Sequence, residues 1–136
     1  MFGTKKRNKP QNRIDCLIGA GTTIEGNISF SSGLRVDGHV QGNVIAAEGK
    51  PSTLVLSEQG RIEGEILVSH VVINGTVVGP VRAIEYLELQ TKANVTGDIH
   101  YHTLEMQLGA VVQGGLVHQP EVKSGKVVPL KPVSVE

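Results

Sequence analysis

Aromatic side chains are almost missing from this chain: its 136 residues include two Phe, two Tyr and no Trp. A core must therefore be filled by Val, Ile and Leu, which together with 17 Gly favour pleated, tightly turning backbone over a helical bundle. The single cysteine, Cys16, excludes an intrachain disulfide. No apolar run is long enough for a signal-peptide core or a membrane span, so a cytoplasmic location is expected. What is present is a 39% hydrophobic content, enough for the core of one domain if it is well placed. The class expected is all-β.

Net charge is also lacking, at zero, but the zero conceals a partition. Residues 1–13 carry five bases and no acid, residues 14–118 five bases against eleven acids, and residues 119–136 three Lys against two Glu. A basic tail precedes an acidic body. Such a body is a poor electrostatic match for a phosphate backbone, so no nucleic acid partner is expected.

A short pattern, aliphatic-x-Gly-x-aliphatic, recurs six times, centred on Gly26, Gly42, Gly64, Gly79, Gly97 and Gly114. The intervals are 16, 22, 15, 18 and 17 residues. With each glycine as zero, position −2 is Ile24, Val40, Ile62, Val77, Val95 and Val112. Position +2 is Ile28, Val44, Ile66, Val81, Ile99 and Leu116, and position −8 is Ile18, Leu34, Leu56, Val71, Leu89 and Met106. Position −4 is always small (Thr22, Gly38, Gly60, Gly75, Ala93, Ala110), and position −1 is polar in every copy but Val78.

This is apolar-in, polar-out alternation on extended backbone. One copy cannot bury its apolar side alone, whereas copies stacked in parallel build continuous aliphatic ladders. The pattern predicts a single-stranded parallel β-helix of about six rungs over residues 14–118, a rod on the order of 30 Å long at the usual strand spacing. The 22-residue interval holds Ala47-Glu48-Gly49-Lys50-Pro51-Ser52, which reads as a surface loop bulging from one rung. Pro80, at an outward position, is expected to remove one ladder hydrogen bond. Residues 1–13, and 119–136 with Pro120, Pro129 and Pro132, read as flexible, disordered tails.

The six glycine-centred copies between such tails, with the opening Met1-Phe2-Gly3-Thr4-Lys5-Lys6, resemble the bactofilins, polymer-forming bacterial cytoskeletal proteins. The resemblance implies a right-handed helix of triangular section and assembly into filaments without nucleotide or other cofactor. It also implies attachment to the inner face of the cytoplasmic membrane through the N-terminal tail, and roles in cell shape or in positioning wall enzymes. Self, the membrane and cell-wall enzymes or other bactofilins are then the expected partners, with a location peripheral to the inner membrane. Met1, Phe2, Lys5, Lys6, Arg7 and Lys9 are the candidate targeting residues. A buried Phe supplies on the order of 2 kcal/mol. Each base near an anionic surface adds about 1 kcal/mol.

Physics supports polymerisation independently. The first and last rungs of a solenoid expose unpaired backbone groups and a section through the core, and such edges pair unless capped. The first rung offers Cys16, Ile18, Ile24 and Ile28; the last offers Leu104, Met106, Leu108, Val112 and Leu116. No amphipathic helix follows to cover them, so stacking through two ends predicts a chain of copies.

Catalysis is not expected. Left-handed β-helix acyltransferases carry an aliphatic residue every sixth position, a step this chain does not sustain. Gly19-Ala20-Gly21 lacks the rest of a dinucleotide loop, and Cys16 has no accompanying His motif. His100 and His102 share a strand face but give only two metal ligands, while His39, His70 and His118 fall at unrelated positions. Glu25, Glu63 and Glu65 read as outward solubilising charge. The competing readings are a monomeric β-helical adaptor and, further off, an acyltransferase-like enzyme.

Overall fold

Each glycine-centred copy folds as two short strands joined at the glycine, because a corner this sharp needs backbone that L side chains avoid. Gly97 has φ +135°, and a Cβ there would lie 2.5 Å from the carbonyl oxygen of Gly79 in the coil beneath. The glycines are therefore stacked so closely at one edge that only hydrogen fits. The computed structural model describes residues 14–120, and among these every element is a strand. The tails expected at 1–13 and 119–136 lie outside the described residues except for Gln119, whose N–H donates to the Tyr101 carbonyl at 2.6 Å, and Pro120; all the candidate targeting residues lie outside.

Six coils follow, each laying three strands on three faces. The first comprises β1 (Cys16–Ile18), β2 (Thr23–Glu25) and β3 (Ile28–Phe30); the second β4 (Gly33–Val36), β5 (His39–Gln41) and β6 (Val44–Ala46). The third holds β7 (Thr53–Leu56), β8 (Arg61–Glu63) and the start of β9 (Ile66–Ile73). From there strands run round a corner: β9 ends in coil four, which continues with β10 (Thr76–Val78) and the start of β11 (Val81–Leu89). Coil five takes the rest of β11, β12 (Asn94–Thr96) and the start of β13 (Ile99–Met106), and coil six ends with β14 (Val111–Gln113) and β15 (Leu116–His118). All pairings are parallel: β14-β12-β10-β8-β5-β2 form one sheet, and the other two faces merge into a nine-stranded sheet through the long strands.

Positions −2 and +2 form ladders as expected. Ile24, Val40, Ile62, Val77, Val95 and Val112 stack on one face, and Ile28, Val44, Ile66, Val81, Ile99 and Leu116 on the next. From Val40 to Val95 and from Val44 to Ile99 these side chains are fully buried. Complete burial of one such side chain contributes about 1.5–3 kcal/mol.

Position −8 needs correction, because it merges two ladders. The structure pairs Ile18 with Val36, Leu56, Ile73, Leu89 and Met106, and pairs Cys16 with Leu34, Leu54, Val71, Leu87 and Leu104. The cause is the corner before the small residue at −4. In coils one, three, five and six it closes through a turn with a backbone bond from residue 22 to 19, 60 to 57, 93 to 90 and 110 to 107. Coils two and four pass directly from Val36 to His39 and from Ile73 to Thr76 and are two residues shorter there. That shortening underlies the 16- and 15-residue intervals.

The long interval is the surface loop anticipated at 47–52: residues 47–51 are exposed. Ser52 closes it, buried at the corner with its hydroxyl accepting from the Ser69 N–H at 3.1 Å.

Residues just after the glycines bond through side chains rather than through the strand ladder. Asn27 Oδ1 accepts from the Asn43 N–H, Asn43 Oδ1 from the Glu65 N–H and Asp98 Oδ1 from the Gly115 N–H, each at 2.9 Å. Pro80 therefore removes no ladder bond, contrary to expectation. Its missing N–H falls at this corner, where the Glu65 carboxylate below is turned to Arg82 at 3.2 Å, and its carbonyl still accepts from the Ile66 N–H at 3.0 Å. Pro80→Ala is expected to destabilise by no more than about 1 kcal/mol, the proline's restriction of the unfolded chain being all that is lost. A urea midpoint shift above that would show a bond the corner depends on.

Candidate assembly ends

Among the described residues, β1, β2 and β3 of the first coil pair only upwards, with β4, β5 and β6. Cys16 is exposed, Ile18 retains 7% of its surface, and Ile24 and Ile28 are half-buried against the core. Phe30 packs beside them, and Leu17 and Ile14 are 58% and 39% exposed; none of these three stood among the expected end residues.

In the sixth coil, among the described residues, β14 and β15 pair only downwards, with β12 and β13. Leu104 and Val112 are half-buried, while Met106 and Leu116 remain 44% and 46% exposed. Leu108 stands apart: on the corner turn at 107–110 it is 93% exposed, at the position of the polar Thr91 one coil below. Val111 and Val117, 44% and 39% exposed, were missed by the sequence reading. The signal was there, since Val111 occupies the outward position that is Thr23, His39, Arg61, Thr76 and Asn94 in the other coils.

Charge avoids both ends. The first coil, residues 14–30, carries Asp15 and Glu25 and the sixth, residues 103–118, Glu105 alone among carboxylates, with no Lys or Arg in either. The inner coils hold the ion pairs Arg35–Asp37 at 2.9 Å, Arg61–Glu63 at 2.6 Å and Arg82–Glu65 at 3.2 Å. Arg61, by its hydrogen bond, holds the Glu63 carboxyl below its ordinary range. These exposed pairs add little stability.

Glu105 is itself engaged: the Tyr86 hydroxyl donates to it at 2.5 Å. That bond, then burial and the neighbouring Glu88, push the Tyr86 phenol well above its usual range. A raised phenol pKa stabilises the fold below the unfolded value, near pH 10, and the stabilisation is lost as pH rises beyond it. Wild-type protein is expected to lose thermal midpoint as pH rises above about 10, and Tyr86→Phe to lose less over the same rise. Equal losses would exclude the bond as the cause.

Residues 16–117 match the family model for bactofilin, described as polymer-forming cytoskeletal. The chain belongs to the bactofilin family. Bactofilin BacO of Myxococcus xanthus (strain DK1622) is 31% identical over 100 residues, covering 74% of this chain and 76% of that one. Bactofilin BacP of the same organism is 25% identical over 135 residues, 99% of this chain, which spans about half (54%) of BacP's length. No solved structure matches. The bactofilin match begins at Cys16 and ends at Val117, so it covers all six coils and both open ends. The family is structural and cytoskeletal, and among the described residues no helix is long and apolar enough to cross a membrane.

Proposed function

We propose that this chain assembles end to end, without nucleotide, into filaments that lie on the inner face of the cytoplasmic membrane and scaffold cell shape or wall enzymes. The observation that carries the reading is the pair of open, nearly charge-free coils at the ends of the rod. Each presents aliphatic ladder ends beside unpaired strand edges, which a second copy satisfies and water satisfies poorly for the apolar part. Charge on the inner coils keeps the sides of the rod soluble and directs contact to the ends. Negative-stain microscopy and sedimentation of the purified chain test this: filaments are expected, and a uniform 14.5 kDa species would establish the adaptor reading instead.

Membrane attachment rests on residues 1–13. One Phe and a few bases give only marginal binding per chain, but a filament displays many tails and gains avidity. Deleting residues 1–8 is expected to abolish co-sedimentation with anionic liposomes while leaving polymer content unchanged. Equal pelleting with and without the tail would place the membrane contact elsewhere or nowhere.

A further inference from the structure

One corner of the rod is uneven from coil to coil, and the unevenness leaves a recess on its side. The second coil ends there in the exposed 47–51 loop. Above it β9 turns with Ser69 alone, whereas β11 spends Ile84 and Glu85 on the same corner. Between the two protrusions lies a groove of about 500 Å³, lined by Leu67 and Val68 from β9, Ala47 and Glu48 from the loop, and Ile84 and Glu85 from β11. Ile84 leaves 46% of its surface to water, which serves the carboxylates of such a groove but not its apolar walls. Glu85 meets His70 at 3.6 Å yet stays 58% exposed, open to a second cation.

The chain leaves the rod at this same corner. His118 ends the column Val68, Ala83 and Tyr101. Gln119 is then held to the coil beneath at both backbone groups: its N–H donates to the Tyr101 carbonyl at 2.6 Å, and its carbonyl accepts from His102 Nδ1 at 3.2 Å. From this exit down to the level of Ser69 is three strand spacings, about 14 Å. Roughly five residues of extended chain cover that distance. The next six, Lys126-Val127-Val128-Pro129-Leu130-Lys131, lie outside the described residues, and their composition matches the groove. They offer an apolar centre for Leu67 and Ile84 and a base at each end for Glu48 and Glu85, against which Lys50 is the one base in the lining.

We propose that residues 126–131 of each chain turn back along their own rod and dock in this groove. The tether through 121–125 is short, so the effective concentration of the segment is high, and a contact too weak to hold a free peptide is occupied. Pro129 lowers the ordering cost further by restricting the undocked segment. Docking buries Ile84, an apolar side chain otherwise exposed on the side of the rod, whether or not copies have stacked.

Photo-crosslinking of the full-length chain with benzoylphenylalanine in place of Val128 tests the docking, the crosslinked peptides being mapped by mass spectrometry. Preparing the sample from an equimolar mixture of heavy-isotope-labelled and unlabelled chains tells a chain's own segment from its neighbour's. Crosslinks are expected to concentrate on residues 46–52, 67–69 and 84–85, between peptides of one label. Crosslinks spread over all three faces, or concentrated elsewhere, overturn the proposal. Mixed-label pairs at the groove also overturn it, because they seat a neighbour's segment there. Reversing both bases, Lys126→Glu with Lys131→Glu, is expected to cut the groove yield at least about threefold, and an unchanged yield overturns the assignment. None of these changes alters a described residue, so the coil stays intact, which circular dichroism verifies.

Discussion

Gly97→Val is expected to destabilise the coil by about 3 kcal/mol or more, the sum of left-handed backbone strain and forced displacement of packed backbone. The Cβ it introduces lies 2.5 Å from the Gly79 carbonyl oxygen, which is backbone and cannot swing aside as a side chain could. Relief requires lifting coil five from coil four. That movement would strain the ladders through Val77–Val95 and Val81–Ile99, whose side chains are fully buried. Gly49 is the matched control, with φ +91° and open space within 4 Å of the point a methyl would occupy, so Gly49→Ala is expected to cost only about 1–2 kcal/mol of backbone strain. Urea midpoints of the two variants measured at one protein concentration separate the terms. Equal costs would show that φ alone, not the stacking of the glycines, places glycine at these corners.

The contrast explains what the sequence could and could not reveal. The −2, 0 and +2 columns lie on either side of one corner of constant length, so a fixed offset from each glycine finds the true neighbours across all six coils. The −8 column lies beyond a corner that is two residues shorter in coils two and four. A slip of two preserves strand parity, so Leu34 and Val71 are still apolar and still inward, and nothing in the pattern betrays that they belong with Cys16 and Leu104 rather than with Ile18 and Met106. Hydrophobic alternation reports which side of a strand faces the core, not which residue sits on which. The same reasoning separates the site residues: Val111 and Val117 break the outward polar pattern and could have been read, whereas the recess between the 47–51 loop and Ile84 depends on a corner irregularity that no repeat offset encodes.

Replacing Met106 or Leu116 by Arg is expected to convert filaments into free 14.5 kDa chains. These two positions suit the test better than Val112, because in the single chain Val112 is half-buried against the core whereas Met106 and Leu116 are already 44% and 46% exposed. A guanidinium at either can remain solvated in the isolated coil and costs the fold little. At an end-to-end joint between sixth coils the same group would be enclosed among aliphatic ladder ends facing a coil whose one carboxylate is Glu105. Breaking hydration there without a partner costs several kcal/mol per ion, and a two-fold contact between like ends doubles the number of charges enclosed. Since each additional ~1.4 kcal/mol weakens association tenfold, even partial enclosure should move the assembly threshold by orders of magnitude. Sedimentation at increasing concentration, with circular dichroism confirming an intact coil, reads the result. Filaments of normal length from Leu116→Arg would remove the sixth coil from the joint. The same substitution at Leu17, on the outward side of the first strand, then discriminates an end contact from a lateral one: end-to-end assembly should survive Leu17→Arg, because that side chain is 58% exposed and points away from the ladders that the joint extends.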